Sequence, residues 1–196
     1  FESPDVDKTY ALASKQWGAL PQTAVSYKSA MVEGWSTTAT DAEIEIWQSG
    51  FNGVPAYRGD QFAEINANQS AALYQDLTTT PGSKMYWSFA HRGRAGVDTI
   101  ALQVGAPQGP YTTLGTFKTG MSSWAVYQGE YTVPANQTKT RFFYQAVATA
   151  NDNTTTGNFL DDIQFYTLET CKLDTDSDGV VNSSDRDSDN DGIADV

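Results

Sequence analysis

Cysteine is almost missing from this chain: of its 196 residues, only Cys171 carries a thiol. A single thiol cannot form an intrachain disulfide, and it excludes zinc sites built from cysteine clusters. Histidine is equally scarce, with His91 alone. No apolar run approaches the ~20 residues a helix needs to cross a bilayer, so membrane insertion is not expected, and no secretory leader is recognisable. Cations are few, with 12 Lys and Arg against 24 Asp and Glu, a net charge of −12. The deficit is uneven. Residues 174–196 hold eight Asp and one Arg (−7), leaving 16 acids and 11 bases (−5) on the other 173 residues. A mildly acidic body thus carries an anionic tail, and neither offers a basic surface to nucleic acid or anionic lipid. The chain opens on Phe1 and stops at Val196 inside a repeat, which reads as a monomeric module of a longer protein.

Short apolar or alternating runs fill the body. They are TAVSYKSAMV (23–32), EIEIW (43–47), QFAEIN (61–66), AALYQDL (71–77), KMYWSFAH (84–91), DTIALQVG (98–105), YTTLGTF (111–117), WAVYQGEYTVP (124–134), TRFFYQAVATA (140–150) and NFLDDIQFYTL (158–168). Turn signals separate them, and no long stretch repeats every 3.6 residues. An all-β sandwich is expected, with little helix. Alternation in EIEIW places Glu43, Glu45 and Trp47 on one face and Ile44 and Ile46 on the other; in QFAEIN, Phe62, Glu64 and Asn66 share a face. Glutamates inside strands mark a solvated or ligand-bearing sheet face.

At Cys171 the character changes. DTDSDGVVNSSD (174–185) and DSDNDGIAD (187–195) repeat with a 13-residue spacing. Carboxylates at positions 1, 3 and 5, followed by a turn-making glycine (Gly179, Gly192), wrap oxygen ligands around a hard cation. The expected Ca2+ ligands are Asp174, Asp176, Asp178, Asn182 and Asp185 in the first loop, and Asp187, Asp189, Asp191 and Asp195 in the second. The abutting units leave no room for EF-hand helices. Their spacing resembles thrombospondin type 3 repeats, which implies a calcium-loaded spacer over residues 169–196 behind a ligand-binding domain over 1–168. Calcium ligands also point to an extracellular or bacterial-surface location.

Phe1-Glu2 at the start and Leu160-Asp161-Asp162-Ile163 near the end resemble the opening and closing strands of galactose-binding-like jelly rolls, a group that includes many carbohydrate-binding modules. The resemblance implies a jelly-roll β-sandwich and a structural calcium shared by Glu2 and Asp162. GWSTTATDAEIEIWQSGFNGVPAYRGDQFAEINA, LYQDLTTTPG and WSFAHRGRAGVDT are similar to the peptide-binding domain of RTX-type bacterial adhesins. That similarity implies calcium-dependent, non-catalytic capture of a peptide C-terminus on a neighbouring or host cell.

The segment HRGRAG (91–96) gathers His91, Arg92 and Arg94 at the end of an aromatic strand. Gly93 and Gly96 permit turns that aim two guanidiniums at one rim, where they pair with a carboxylate from a peptide end or an acidic sugar. Alternatively, both arginines lock the protein's own acids in place. Glu45, Gln61, Glu64 and Asn66 are candidates for hydrogen bonds to a ligand or for a second calcium site, to which Asp41 and Asp60 beside them would add carboxylate oxygens. Trp47, Tyr57 and Tyr74 are candidate stacking platforms, whereas Trp35, Trp87 and Trp124 are assigned to the core. Two further functions compete with the adhesin reading. One is a carbohydrate-binding module of a secreted polysaccharide-degrading enzyme, with a glycan as partner. The other is a glycosidase using Glu45 and Glu64. No G-x-S-x-G motif is present, and nothing in the sequence marks either carboxyl as an acid, so catalysis is not expected.

Overall fold

The computed structural model describes residues 1–6 and 22–167. The expected tail, with Cys171 and all nine of its calcium-ligand candidates, lies outside these residues.

The alternating runs form eleven strands. They are β1 (Ala24–Lys28), β2 (Ser36–Thr37), β3 (Glu43–Gln48), β4 (Gln61–Glu64), β5 (Ala72–Thr78), β6 (Lys84–Arg92), β7 (Asp98–Gly105), β8 (Tyr111–Thr119), β9 (Ala125–Thr132), β10 (Lys139–Ala148) and β11 (Phe159–Thr167). A six-stranded sheet, β1-β3-β4-β11-β6-β9, packs on a five-stranded sheet, β2-β5-β10-β7-β8. All pairings are antiparallel. The fold is the expected all-β jelly-roll sandwich.

The period of two decides which side chains meet between the sheets. Ile44 and Ile46 of β3, Trp87 and Phe89 of β6, Leu102 of β7, Phe142 and Tyr144 of β10, and Leu160 of β11 are all buried there. Each such large apolar side chain contributes about 1.5–3 kcal/mol by leaving water.

A second apolar cluster lies on the far side of the six-stranded sheet. Trp47, Phe62 and Phe159 project outward from neighbouring strands, and the β3–β4 connection folds over them through Phe51, Val54 and Ala56. Trp124 closes the edge: its ring packs edge-on against Phe62 at 5.4 Å, and its indole N–H donates to the Pro55 carbonyl at 2.8 Å. Part of the outward face is therefore a buried layer.

Candidate functional site

The HRGRAG segment turns inward. His91 is fully buried; its Nε2 lies 3.0 Å from Asn158 Oδ1 and its Nδ1 2.9 Å from the Thr119 hydroxyl. Asn158 donates its amide N–H to Asn66 Oδ1, so its oxygen accepts from His91 Nε2–H. Burial pushes the imidazole down to about 4, which keeps it neutral. Arg94 donates to both oxygens of Glu64 at 2.8 and 2.9 Å, and its guanidinium lies 4.6 Å from the Trp47 ring centroid. Arg92 Nε donates to the Met121 carbonyl at 3.0 Å. Gly93 serves close backbone packing, since a β-carbon there would collide with the Gly96 carbonyl and come within 2.7 Å of that of Thr119. Of the two alternatives for these arginines, internal pairing describes Arg94, which meets Glu64, while Arg92 meets a backbone carbonyl and no acid. The histidine is sealed inside, and both arginines bond to the protein itself.

The outward glutamates form the other half of this knot. Glu45 and Glu64 stand directly opposite on β3 and β4. Glu45 Oε2 accepts the Trp47 indole N–H at 2.9 Å, and Glu64 Oε1 accepts the Gly157 N–H at 2.6 Å. Burial, then Glu45, raises Glu64 to about 8, against the opposing pull of Arg94.

Other candidates are likewise taken up by the fold. Gln61 is buried, accepting from the Val6 N–H at 2.6 Å and donating to the Phe1 and Pro4 carbonyls, which ties down the N-terminal segment. Asn66 is buried between Asn158 and the Thr154 carbonyl. Trp47, expected as a stacking platform, is sealed in the second cluster, because outward alternation does not distinguish solvent from an overlying loop. Tyr57 remains exposed beside Trp124. Asp41 accepts from the Glu43 N–H and from Asn68. Of the tryptophans assigned to the core, Trp87 is buried there, Trp35 packs against it partly exposed, and Trp124 belongs to the second cluster.

Glu2 and Asp162 do border one recess, of about 430 Å3, together with Asp161 and Arg58. The Glu2 carboxylate accepts the backbone N–H groups of Asp60 and Gln61; Asp162 Oδ1 lies 3.4 Å from Arg58 and accepts from Gln164. Asp162 has φ +44°, at the irregularity where β11 shifts register against β6. Among the described residues, no three acidic, histidine or cysteine side chains converge tightly enough to hold a metal.

The outer face of the five-stranded sheet is built differently. Tyr74 of β5 and Phe143 of β10 are directly paired, and their rings stack at 5.9 Å and 19°. Tyr111 of β8 reaches the same row from two strands away. Its own partner on β7 is Gly105, where any side chain would intrude on Pro110 and the Tyr111 ring. The Tyr111 ring therefore leans across β7 and stacks on Phe143 at 5.5 Å and 16°. Arg141 lies 3.8 Å from the Tyr74 centroid and is held by two bonds to Asp76, of 2.6 and 2.7 Å. This pairing keeps the guanidinium charged and immobile. Gln103 and Thr113, hydrogen-bonded across β7 and β8, border the strip. All three rings are partly exposed, and no loop of the described chain seals them as the β3–β4 connection seals Trp47. Of the stacking candidates, only Tyr74 falls here. Phe143 and Arg141 were legible as the outward set of TRFFYQAVATA, but which strand paired with it was not.

No protein-family model matches the chain, and no curated protein matches it. Solved structures do resemble it. The C-terminal family 22 carbohydrate-binding module of Clostridium thermocellum Xyn10B aligns with a TM-score of 0.52 at 15% identity, covering 78% of this chain and 95% of that one. The CBM22-1 xylan-binding domain of Paenibacillus barcinonensis Xyn10C aligns at 0.51 and 13%, covering 78% and 98%. A further family 22 xylan-binding domain aligns at 0.51 and 15%, covering 76% and 95%. At these identities the likeness is one of fold: the body of this chain is a jelly-roll β-sandwich of the kind seen in carbohydrate-binding modules.

Proposed function

We propose that this domain is a non-catalytic carbohydrate-binding module that takes a polysaccharide chain across the outer face of its five-stranded sheet. The observation that carries the reading is the Tyr74–Phe143–Tyr111 stack, an aromatic strip flanked by a fixed Arg141–Asp76 pair and by Gln103. Aromatic faces accept the C–H face of a sugar ring, and amides, hydroxyls and fixed charges bond its hydroxyls. The fold likeness to xylan-binding modules supports a glycan over a peptide end, and the pairing of Arg94 with Glu64 weighs against a two-arginine clamp for a terminal carboxylate. Passive capture outside the cell, from a secreted enzyme or an adhesin, suits such a module.

Calcium remains part of this reading. Glu2 and Asp162 border one recess, and their carboxylates are the ligands this reading assigns to a cation at the seam between the N-terminal segment and β11. A bound ion there would brace the seam and take no part in sugar contact.

Isothermal titration with xylohexaose and cellohexaose tests the glycan reading. Phe143→Ala removes the middle ring and is expected to weaken binding at least tenfold, a loss of about 1.4 kcal/mol or more. Unchanged affinity, or no binding of either sugar or of soluble xylan by the parent, would refute it. Calcium is tested by thermal melting of the parent and of Glu2→Gln/Asp162→Asn. The calcium-induced rise in Tm should shrink in the double variant, and an equal rise would remove the site.

A further inference from the structure

The six-stranded sheet also has an outward face beyond the loop-covered cluster. After the irregularity at Asp162, β11 resumes alternation with Gln164 and Tyr166 pointing away from the core and Phe165 pointing into it. Register then sets two outward rows across β11, β6 and β9: Tyr166–Tyr86–Glu130 and Gln164–Ser88–Gln128. The rings of Tyr86 and Tyr166 stack at 5.4 Å and 15°, and Tyr166 is 50% exposed. Neither phenol hydroxyl makes a hydrogen bond with another described residue, and the rings pack against no apolar cluster. The Gln164 amide is oriented by Asp162, its Nε2 donating to Asp162 Oδ1 at 2.9 Å. The nearby charges cancel, because Lys84 bonds Glu130 at 2.8 Å.

We infer that this face is a second glycan-binding surface, for an uncharged polysaccharide chain, on the side of the sandwich opposite the first. The chemistry selects the occupant. Paired phenols offer a flat face with two free hydroxyls, and amides and a serine both donate and accept, as sugar hydroxyls require. Among the described residues of these two rows, Glu130 is the one charged side chain, and its pairing with Lys84 leaves no net charge to hold an anionic or cationic partner. Exposed apolar surface beside it is confined to Val126, too little for the desolvated centre of a protein interface.

The two outer faces point in opposite directions, so one short oligosaccharide cannot engage both. Two chains can, and the module then links them, its retention on a polymer exceeding what either face provides. The second surface stands on its own geometry and does not require the first to be correct.

Affinity electrophoresis of the full chain through arabinoxylan, barley β-glucan and β-1,4-galactan tests this, with Tyr86→Ala/Tyr166→Ala and Tyr74→Ala/Phe143→Ala as variants. Both pairs point outward and leave the main core intact, which circular dichroism and Tm verify. The expected result is that Tyr86→Ala/Tyr166→Ala weakens retention about tenfold on at least one polymer, the loss typical of removing an aromatic anchor, while leaving hexasaccharide titration at the other face unchanged. Loss of retention in this variant alone, with Tyr74→Ala/Phe143→Ala behaving as the parent, would support the second surface and refute the first. Parental retention of Tyr86→Ala/Tyr166→Ala on every polymer would overturn the inference. So would self-association of the parent in sedimentation that this variant abolishes while polymer retention is unaltered, because the occupant would then be a second copy.

Discussion

Replacing Glu64 by glutamine isolates the titration of this buried carboxyl on β4. In the folded protein Glu64 is raised from 4.5 to about 8, burial being the larger cause and the neighbouring Glu45 the next. Below pH 4.5 both folded and unfolded chains carry the Glu64 proton, and the contribution to stability is complete. Between 4.5 and 8 the unfolded chain releases it while the folded chain keeps it, so stability falls as pH rises. Above 8 both have lost it and the slope ends. The interval corresponds to a ceiling of roughly 5 kcal/mol, and with the Glu64 side chain at 0% exposure solvent screening does not reduce it. Glutamine keeps the shape, and its oxygen accepts from Arg94 and Gly157. Near pH 5–6 the variant should therefore lie within about 1 kcal/mol of the parent. By pH 9 it should be the more stable by several kcal/mol. Urea unfolding followed by tryptophan fluorescence at pH 5 to 9 provides both curves. His91 titrates in both proteins and cancels in the difference. Parallel curves for parent and Glu64→Gln would refute the raised Glu64 carboxyl.

Other expectations follow from the same geometry. His91, lowered from 6.5 to about 4, is neutral in the fold, so its contribution is present above pH 6.5 and lost as pH falls towards 4; His91→Phe should flatten that acid limb in melting curves. His91→Ala strands Thr119 and Asn158 inside and should cost about 2–4 kcal/mol by denaturant unfolding. Gly105→Val would displace Tyr111 from the aromatic strip, lowering xylohexaose affinity more than Tm; retained affinity would separate Tyr111 from the site. Trp124→Ala uncovers Phe62 and frees the Pro55 carbonyl, and should cost about 3 kcal/mol while raising hydrogen exchange across residues 49–60 before the sheets respond.

Much of the architecture was legible because a strand in a sandwich obeys a short-range rule. Alternation in EIEIW and TRFFYQAVATA separates two faces with no knowledge of partners, and the core side of each strand followed from it: Ile44, Ile46, Phe142 and Tyr144 are where their parity puts them. The same rule is blind to what covers the other face. Glu45, Trp47 and Glu64 point outward as expected, yet the β3–β4 connection, Trp124 and Arg94 bury or bond them, and all of these come from other parts of the chain. His91 and Arg94 read as a cationic rim because their acceptors, Asn158 and Glu64, lie 67 and 30 residues away.

Composition and local period therefore determined a two-layer β domain with few cations and named the two faces of β3 and β4. Tertiary structure alone decided which outward residues meet solvent. It brought Tyr74, Phe143 and Tyr111 into one strip through the pairing of β5, β10, β7 and β8, and let Tyr111 cross β7 because Gly105 leaves its place empty. The reason is physical: a side chain's direction is fixed within two residues of chain, whereas its exposure and its neighbours depend on strand order and loop cover, which are set by contacts between distant segments.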